Sequence, residues 1–378
     1  MNRNVEWIFS MNSVNSMDAG NDPVVRSIDV GFGLVKFSLR QGRGVRFSGF
    51  PSVALPADSS ALRGASGRQR NTYDVPAGDA VYEVGVDIGL AQADGTFGRD
   101  VSDDFYKGPI YEALTKGALR YMAAAGDTVI DVLVLGLPLN QFNDAGRRDF
   151  LINRWTGTVN LGGGASMRVD KVIVQAQPMG GYVALEDHLD ELNEAIGVTQ
   201  CALQQLSSPD DLDALAILVV DPGEHTLDWL LVQEGTVNQR ASGAASNAGR
   251  HRVVRAVMGA LSSELGRPLG PSVLPRINEA MRKGLPVKLA GVLHALDKYE
   301  PAAMAVVEDA VNRMLDGIRD AQDLIDLFVL VGGHPARYQA VLERRFPSVP
   351  VFVMPNAAQA NVVGFQKIGE AHAQVLVL

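Results

Sequence analysis

Cysteine is almost missing from this chain: Cys201 is the only one in 378 residues. No disulfide can form within the chain, no cysteine-based metal site can be built, and the usage fits a reducing cytoplasm. The six histidines (188, 225, 251, 294, 334 and 372) show no metal-ligand spacing. No window reaches the roughly 18 uninterrupted apolar residues of a transmembrane helix. Residues 1–22, rich in Asn, Ser and Met, lack the apolar core of a secretory signal and read as a flexible leader, with Met17 an alternative start. Positive charge is in deficit, with 34 Lys and Arg against 43 Asp and Glu and a net charge of −9. That balance disfavours direct binding to nucleic acid or to an anionic membrane. A modest basic cluster, Arg250, Arg252 and Arg255 around His251, reads as a solvated helix face.

What is present is an ordinary globular composition, 47% hydrophobic and 20% charged, with length for two domains or more. Three stretches stand out. Ile217–Val232 (ILVVDPGEHTLDWLLV) is a pair of apolar runs around Asp221-Pro222-Gly223, which reads as a β-hairpin with an acidic tip. Val24–Phe37 (VVRSIDVGFGLVKF) repeats the design around Asp29-Val30-Gly31-Phe32-Gly33 and ends near Lys36. Leu327–Pro335 (LFVLVGGHP) is an apolar strand running into Gly332-Gly333. Glycine at such tips is expected to use backbone angles closed to other residues and so to bring amides close to an anion. Asp221 and Asp228 sit where Mg²⁺ or its water shell could be held. Any one tip alone reads as an ordinary turn; together the three suggest a nucleotide clamp.

Between these stretches the periodicity predicts strands over Arg40–Pro51, Ala80–Val86, Thr128–Pro138, Met167–Val174 and Val351–Met354. Helices are expected over Tyr106–Ala125, Asp144–Thr156, Tyr182–Ile196, Ser246–Leu265, Leu274–Lys283, Ala302–Ala321, Pro335–Phe346 and Asn356–Gly369. Leu55–Thr72, rich in Ser, Gly and Arg, reads as a surface excursion. Hairpins followed by alternating strands and helices, occurring twice, suggest a duplicated α/β fold with a cleft between its halves.

The motifs Asp29-x-Gly31-x-Gly33-x-x-Lys36, Asp221-x-Gly223-x-x-Thr226-x-Asp228 and Gly332-Gly333 are similar to the two phosphate motifs and the adenosine motif of the actin, heat-shock-chaperone and sugar-kinase ATPase superfamily. Within it the chain resembles the bacterial actin-like ParM/StbA group, and most of all the ParM-like D proteins of plasmid-associated PRTRC systems. The finer likeness rests on Asp221-Pro222-Gly223 with Asp228-Trp229, Phe50-Pro51-Ser52, Tyr82-x-Val84-Gly85 and Gly117–Met122.

The resemblance implies a duplicated, ribonuclease H-like α/β fold: residues 23–177 as a first domain, residues 178–355 as a second, and a terminal helix at 356–378 packing back on the first. It implies ATP or ADP with Mg²⁺ in the interdomain cleft. Gly31, Phe32, Gly33 and Lys36 would hold phosphates from one side, and Gly223, Glu224, His225 and Thr226 from the other. Asp29 and Asp221 would hold the metal through water, Gly332 and Gly333 would approach adenosine, and Arg282 and Lys283 lie where relatives contact ribose and base, or are plain surface charge. Gln177, or else Gln175, would orient the attacking water, with Asp221 beside it.

The implied activity is a slow ATPase controlling a head-to-tail filament of this chain, acting in plasmid or DNA segregation in the cytoplasm through a DNA-binding adaptor. Two alternatives stay open: a non-polymerising, nucleotide-gated adaptor, and a small-molecule kinase with Asp144 as base unless that residue caps the next helix. Three departures from the family pattern bear on turnover: Glu224 and His225 in the second tip, His334-Pro335 in the third motif, and Phe32 in place of a small hydroxyl residue.

Overall fold

The computed structural model describes residues 22–57, 70–88, 102, 104–199 and 201–377. The expected leader and most of the Leu55–Thr72 excursion lie outside them. The first lobe begins with an antiparallel run of β1 (Val25–Val30), β2 (Leu34–Gln41) and β3 (Gly44–Pro51). Strands β4 (Leu55–Pro56), β5 (Thr72–Ala77) and β6 (Ala80–Gly85) make a small separate sheet of order β4-β6-β5. Helix α1 (Pro109–Ala124) follows, then β7 (Val129–Leu137), α2 (Leu139–Phe142), α3 (Ala145–Trp155), β8 (Gly157–Gly162) and β9 (Ala165–Ala176). The main sheet has the order β3-β2-β1-β7-β9-β8, with β1, β7 and β9 parallel.

The second lobe contains α4 (Gln177–Ala184), α5 (Leu189–Val198), β10 (Ile217–Pro222), β11 (Thr226–Gln233), β12 (Thr236–Val237) and β13 (Gly243–Ser246). Then come α6 (Arg250–Glu264), α7 (Leu274–Lys283), the hairpin β14 (Val287–Leu289) and β15 (Val292–His294), and α8 (Glu300–Ile318). Strand β16 (Leu327–Leu330), α9 (Pro335–Arg345), β17 (Val351–Val353) and α10 (Ala360–Val377) close the chain. Its sheet has the order β12-β11-β10-β16-β17, with β13 also on β11.

The two sheets share a plan: an antiparallel hairpin whose first strand lies beside a later parallel strand. This common order, more than the hairpin tips, establishes the expected duplication. The lead strands β1 and β10 are buried along their whole length, as continuous apolar runs are when both faces of a sheet are covered. Helix α10 returns to the first lobe, where Phe365 and Ile368 pack with Val25, Val132 and Val134.

Several expected boundaries move for identifiable reasons. Pro109 starts α1, since proline suits a first helical turn, and Phe105–Lys107 form a separate 3₁₀ turn. The helix expected from Ser246 begins at Arg250, because Gly243–Ser246 pairs with β11. The helix expected from Tyr182 begins at Gln177 and breaks into two at a 3₁₀ turn over Leu185–His188. Gly180 and Gly181, which suggest a loop in sequence, lie inside α4, where a Cβ on Gly180 would overlap the Asn361 carbonyl of α10. The smallness of Gly180 serves helix–helix contact, and that of Gly181 lets α4 lie close against Val331. The final helix runs on to Val377, past the expected Gly369.

Candidate functional site

Each hairpin presents a carboxylate at the same point. In β1–β2, Asp29 stands opposite Lys36, whose Nζ lies 2.8 Å from Asp29 Oδ2. In β10–β11, Asp221 stands opposite Asp228. Gln177, the first residue of α4, donates from Nε2 to Asp29 Oδ1 at 2.7 Å. Asn361 of α10 donates from Nδ2 to Asp221 Oδ2 at 2.7 Å. The Leu139 amide at the start of α2 donates to Asp228 Oδ1 at 3.0 Å, a buried tie between the lobes.

Asp29 and Asp221, which are 192 positions apart by number, border one cavity of about 110 Å³ together with Lys36 and Gln177. Of the other residues expected at a site, Gly31, Phe32, Gly33, Gly223, Glu224, Thr226, Gly332 and Gly333 also line it. Three do not. His225 stacks instead on His251. Arg282 and Lys283 pair with Glu279 on the exposed end of α7, although the charge of Arg282 still reaches His334. Gln175 is not among the lining residues, so Gln177 is the amide that reaches Asp29.

The glycines act differently from the sequence expectation. Gly31, Gly33 and Gly223 do not have positive φ; of the three motifs only Gly332 does, at +77°. At the tips, space decides: a Cβ would come within 3.1 Å of Leu34 O at Gly31 and 3.2 Å of Thr226 O at Gly223. At Gly332 it would overlap Asp221 Oδ1, so this glycine is required on both counts.

The second tip is also a helix cap. Carbonyls of Gly223, Glu224 and His225 accept the amides of Arg250, His251 and Gly249 at 3.0–3.1 Å, satisfying the first turn of α6. Arg250 is buried there, contacting Asn278 and His334, so it departs from the solvated face expected of the basic cluster. Burial lowers the Arg250 pKa to about 10. Burial, with the charges of Arg250, Arg337 and Arg282, takes His334 down to about 3 and keeps its ring neutral.

Burial works against the charge on Lys36, but Asp29, Asp221 and the Asp29 hydrogen bond outweigh it and raise its pKa. Burial raises Asp221, opposed by Lys36 and Asn361. It raises Asp228 to about 7, opposed by hydrogen bonds from Thr226 and Leu139 and reinforced by the charges of Asp221 and Asp29. Because the folded value exceeds the ordinary 3.8, ionising Asp228 destabilises the fold. That penalty is absent below about pH 4, grows as pH rises to about 7 and is complete above it. Asp228→Asn, which keeps an acceptor for Leu139, should therefore be more stable than the parent by about 2–4 kcal/mol near pH 8 and nearly equal to it near pH 4. Urea midpoints at the two pH values check this; equal gains at both would refute it.

Tyr111 and Asn361 are among the polar residues of the cavity that sequence reasoning missed, with Tyr106 and Gln141. Tyr111 is buried on α1 with its hydroxyl unpartnered, and its pKa is raised by burial and by Asp29. Asn361 has an unpartnered Oδ1. Neither carries a local signal: Tyr111 fits the apolar stripe of its helix, and Asn361 meets Asp221 only through the return of α10.

Two lobes of matching strand order, with paired carboxylate tips and a third glycine turn converging on one cavity, make this an actin-like fold with the architecture of a nucleotide cleft. Comparisons agree. Residues 27–180 match the family model described as the N-terminal domain of actin like proteins. An apo ParM protein of psk41 is 15% identical, covering 95% of this chain and 100% of its own, with a TM-score of 0.65. An archaeal actin homologue in complex with ADP is 16% identical, covering 92% and 99%, with a TM-score of 0.65. A ParM from Clostridium botulinum, solved as a 15-stranded filament, is 14% identical, covering 93% and 100%, with a TM-score of 0.65. No curated protein matches the chain in sequence. Among the described residues no helix is long and apolar enough to cross a membrane.

Proposed function

We propose that this chain is an actin-like ATPase that binds ATP with Mg²⁺ between its hairpin tips and assembles head to tail into filaments that segregate plasmid DNA in the cytoplasm. The observation that carries the reading is the convergence of Asp29, Asp221, Lys36 and Gln177 on one cavity. The residues suit the ligands. Asp29 and Asp221 on one cavity suit Mg²⁺, which keeps water and phosphate ligands around one or two carboxylates. Bound Mg²⁺ would neutralise phosphate charge. Lys36 and the amides at Gly31–Gly33 and Gly223–Thr226 bind phosphate, and Asp29 and Asp221 orient the metal's water. Gln177, held by Asp29, orients the attacking water. Gly332 and Gly333 serve adenosine. In this reading residues 23–177 with α10 form one domain and 178–355 the other. The Asp221-Pro222-Gly223 and Asp228-Trp229 motif supports reading the chain as a relative of the D proteins of PRTRC systems, with a DNA-binding adaptor that would link filament to cargo.

The nucleotide-gated adaptor is the second reading, favoured by Glu224 and His334 at the edge of the cavity. The kinase reading loses its candidate base, since Asp144 Oδ1 accepts the Gly146 amide at 2.9 Å and caps α3. One experiment separates these: light scattering, electron microscopy and phosphate release on the same sample of protein, ATP and Mg²⁺. Scattering should rise above a critical protein concentration, and Gln177→Ala should assemble yet release phosphate at least about tenfold more slowly. ATP-bound monomers that never scatter would support the adaptor instead.

A further inference from the structure

Between the tips the two lobes close on each other. Phe32 meets the His225 ring edge-on, with centroids 5.3 Å apart at 66°, and packs on Phe105 at 5.3 Å on the first-lobe side. His225 stacks on His251 at 4.1 Å and 20°. His251 is pinned by Asn247 Oδ1 at 2.7 Å and by the Glu224 carbonyl at 3.0 Å. Four rings thus run unbroken from one lobe to the other.

Beside this stack Glu224 lies against the first tip: a Cβ on Gly33 would be 3.3 Å from both Cβ and Oε2 of Glu224. Asp29, Asp221 and Asp228 each have a hydrogen-bond donor. The cavity behind the tips, about 110 Å³, is well below the roughly 300–1,000 Å³ of a small-molecule site. The Phe32–His225 contact and the Glu224 side chain therefore narrow the way between the tips.

We infer that Glu224, held against Gly33 by the Phe32–His225–His251 stack, is a latch on the phosphate site and the residue that grades nucleotides by their number of phosphates. The inference rests on the nucleotide reading above and deepens it. A carboxylate between amide-bearing tips takes the ground that an outermost phosphate needs. The repulsion between them grows with each phosphate charge brought near. Opening the latch removes that competition and exposes the amides of both tips.

Two variants, Glu224→Gln and Phe32→Ala, test it in the full chain, with circular dichroism to confirm folding. In calorimetric titrations with Mg²⁺ present, Glu224→Gln should tighten ATP binding about tenfold, ADP less, and AMP not at all. Without nucleotide, Phe32→Ala should speed amide hydrogen exchange about tenfold at both tips while β7 and β16 stay protected. ATP affinity unchanged by Glu224→Gln, or lowered, would overturn the inference, the latter by making Glu224 a metal-holding group. Equal weakening for all three nucleotides, or tip exchange unmoved by Phe32→Ala, would also overturn it. Faster tip exchange in a protein that binds no nucleotide in any form would keep the latch and sink the nucleotide reading instead.

Discussion

Lys36→Met is expected to weaken ATP binding by about 100-fold or more and to lower stability without ligand by about 3 kcal/mol. Among the described residues lining the cavity Lys36 is the one lysine or arginine, and there it meets Asp29 directly and feels Asp221. Methionine keeps the length and apolar stem but removes the charge. Two consequences follow. A phosphate loses a charge-assisted donor, and buried Asp29 keeps only Gln177 as its side-chain donor. Removing one partner of a buried ion pair typically costs about 3–5 kcal/mol, because the other charge is left in a poorly solvated place. Protonation of the abandoned carboxylate caps that cost, so the lower end is the better expectation. Urea denaturation and calorimetric titration on the same preparation check both parts. A variant as stable as the parent would mean that the Lys36–Asp29 pair is solvated rather than buried; unchanged ATP affinity would remove lysine from the phosphate site.

Gly364→Ala is expected to destabilise the protein by about 3 kcal/mol or more, the far end of what overpacking costs. The pressure comes from α4: a Cβ on Gly364 would overlap the Gly180 carbonyl oxygen, and one on Gly180 would overlap that of Asn361. Backbone meets backbone, and no side chain can turn aside to make room. The same crossing sets Asn361 against Asp221 and Gln177 against Asp29, so the variant should weaken nucleotide binding along with stability. Gly259→Ala is the control. Gly259 lies in α6 with nothing within 4 Å of a Cβ, and alanine there should stabilise by about 0.5–1 kcal/mol. Thermal denaturation of the pair tests the contrast; equal small effects would show that the helices separate freely.

The three motif stretches were legible because their signals are local. Apolar runs interrupted by Asp and Gly define β1–β2, β10–β11 and β16, and the register follows from the turns. Helix α7 was legible end to end, since Leu274–Lys283 carries a strong helical period and Gly284 follows in a left-handed C-cap. Where the reading slipped, a distant partner had decided. Gly180-Gly181 has the composition of a loop, and only α10 makes it the interior of a helix. Ser246 opens the expected helical stretch, and only the pairing of Gly243–Ser246 with β11 puts it in a strand. Arg250 belongs to a basic run on paper, and only Asn278 and His334 make it a buried residue.

By itself, then, the order of residues determined the hairpins, their acidic tips and the alternation that builds two similar α/β halves, since each depends on neighbours within a few positions. The tertiary structure alone decided that Asp29 and Asp221 share a cavity, that Asn361 and Tyr111 border it, that Phe32 meets His225 and that Glu224 lies against Gly33. Those contacts join residues dozens to hundreds of positions apart, through backbone packing of α4 on α10 and through the closing of one lobe on the other. No periodicity encodes such a meeting, because it depends on the shapes of surfaces that exist only once both lobes have folded.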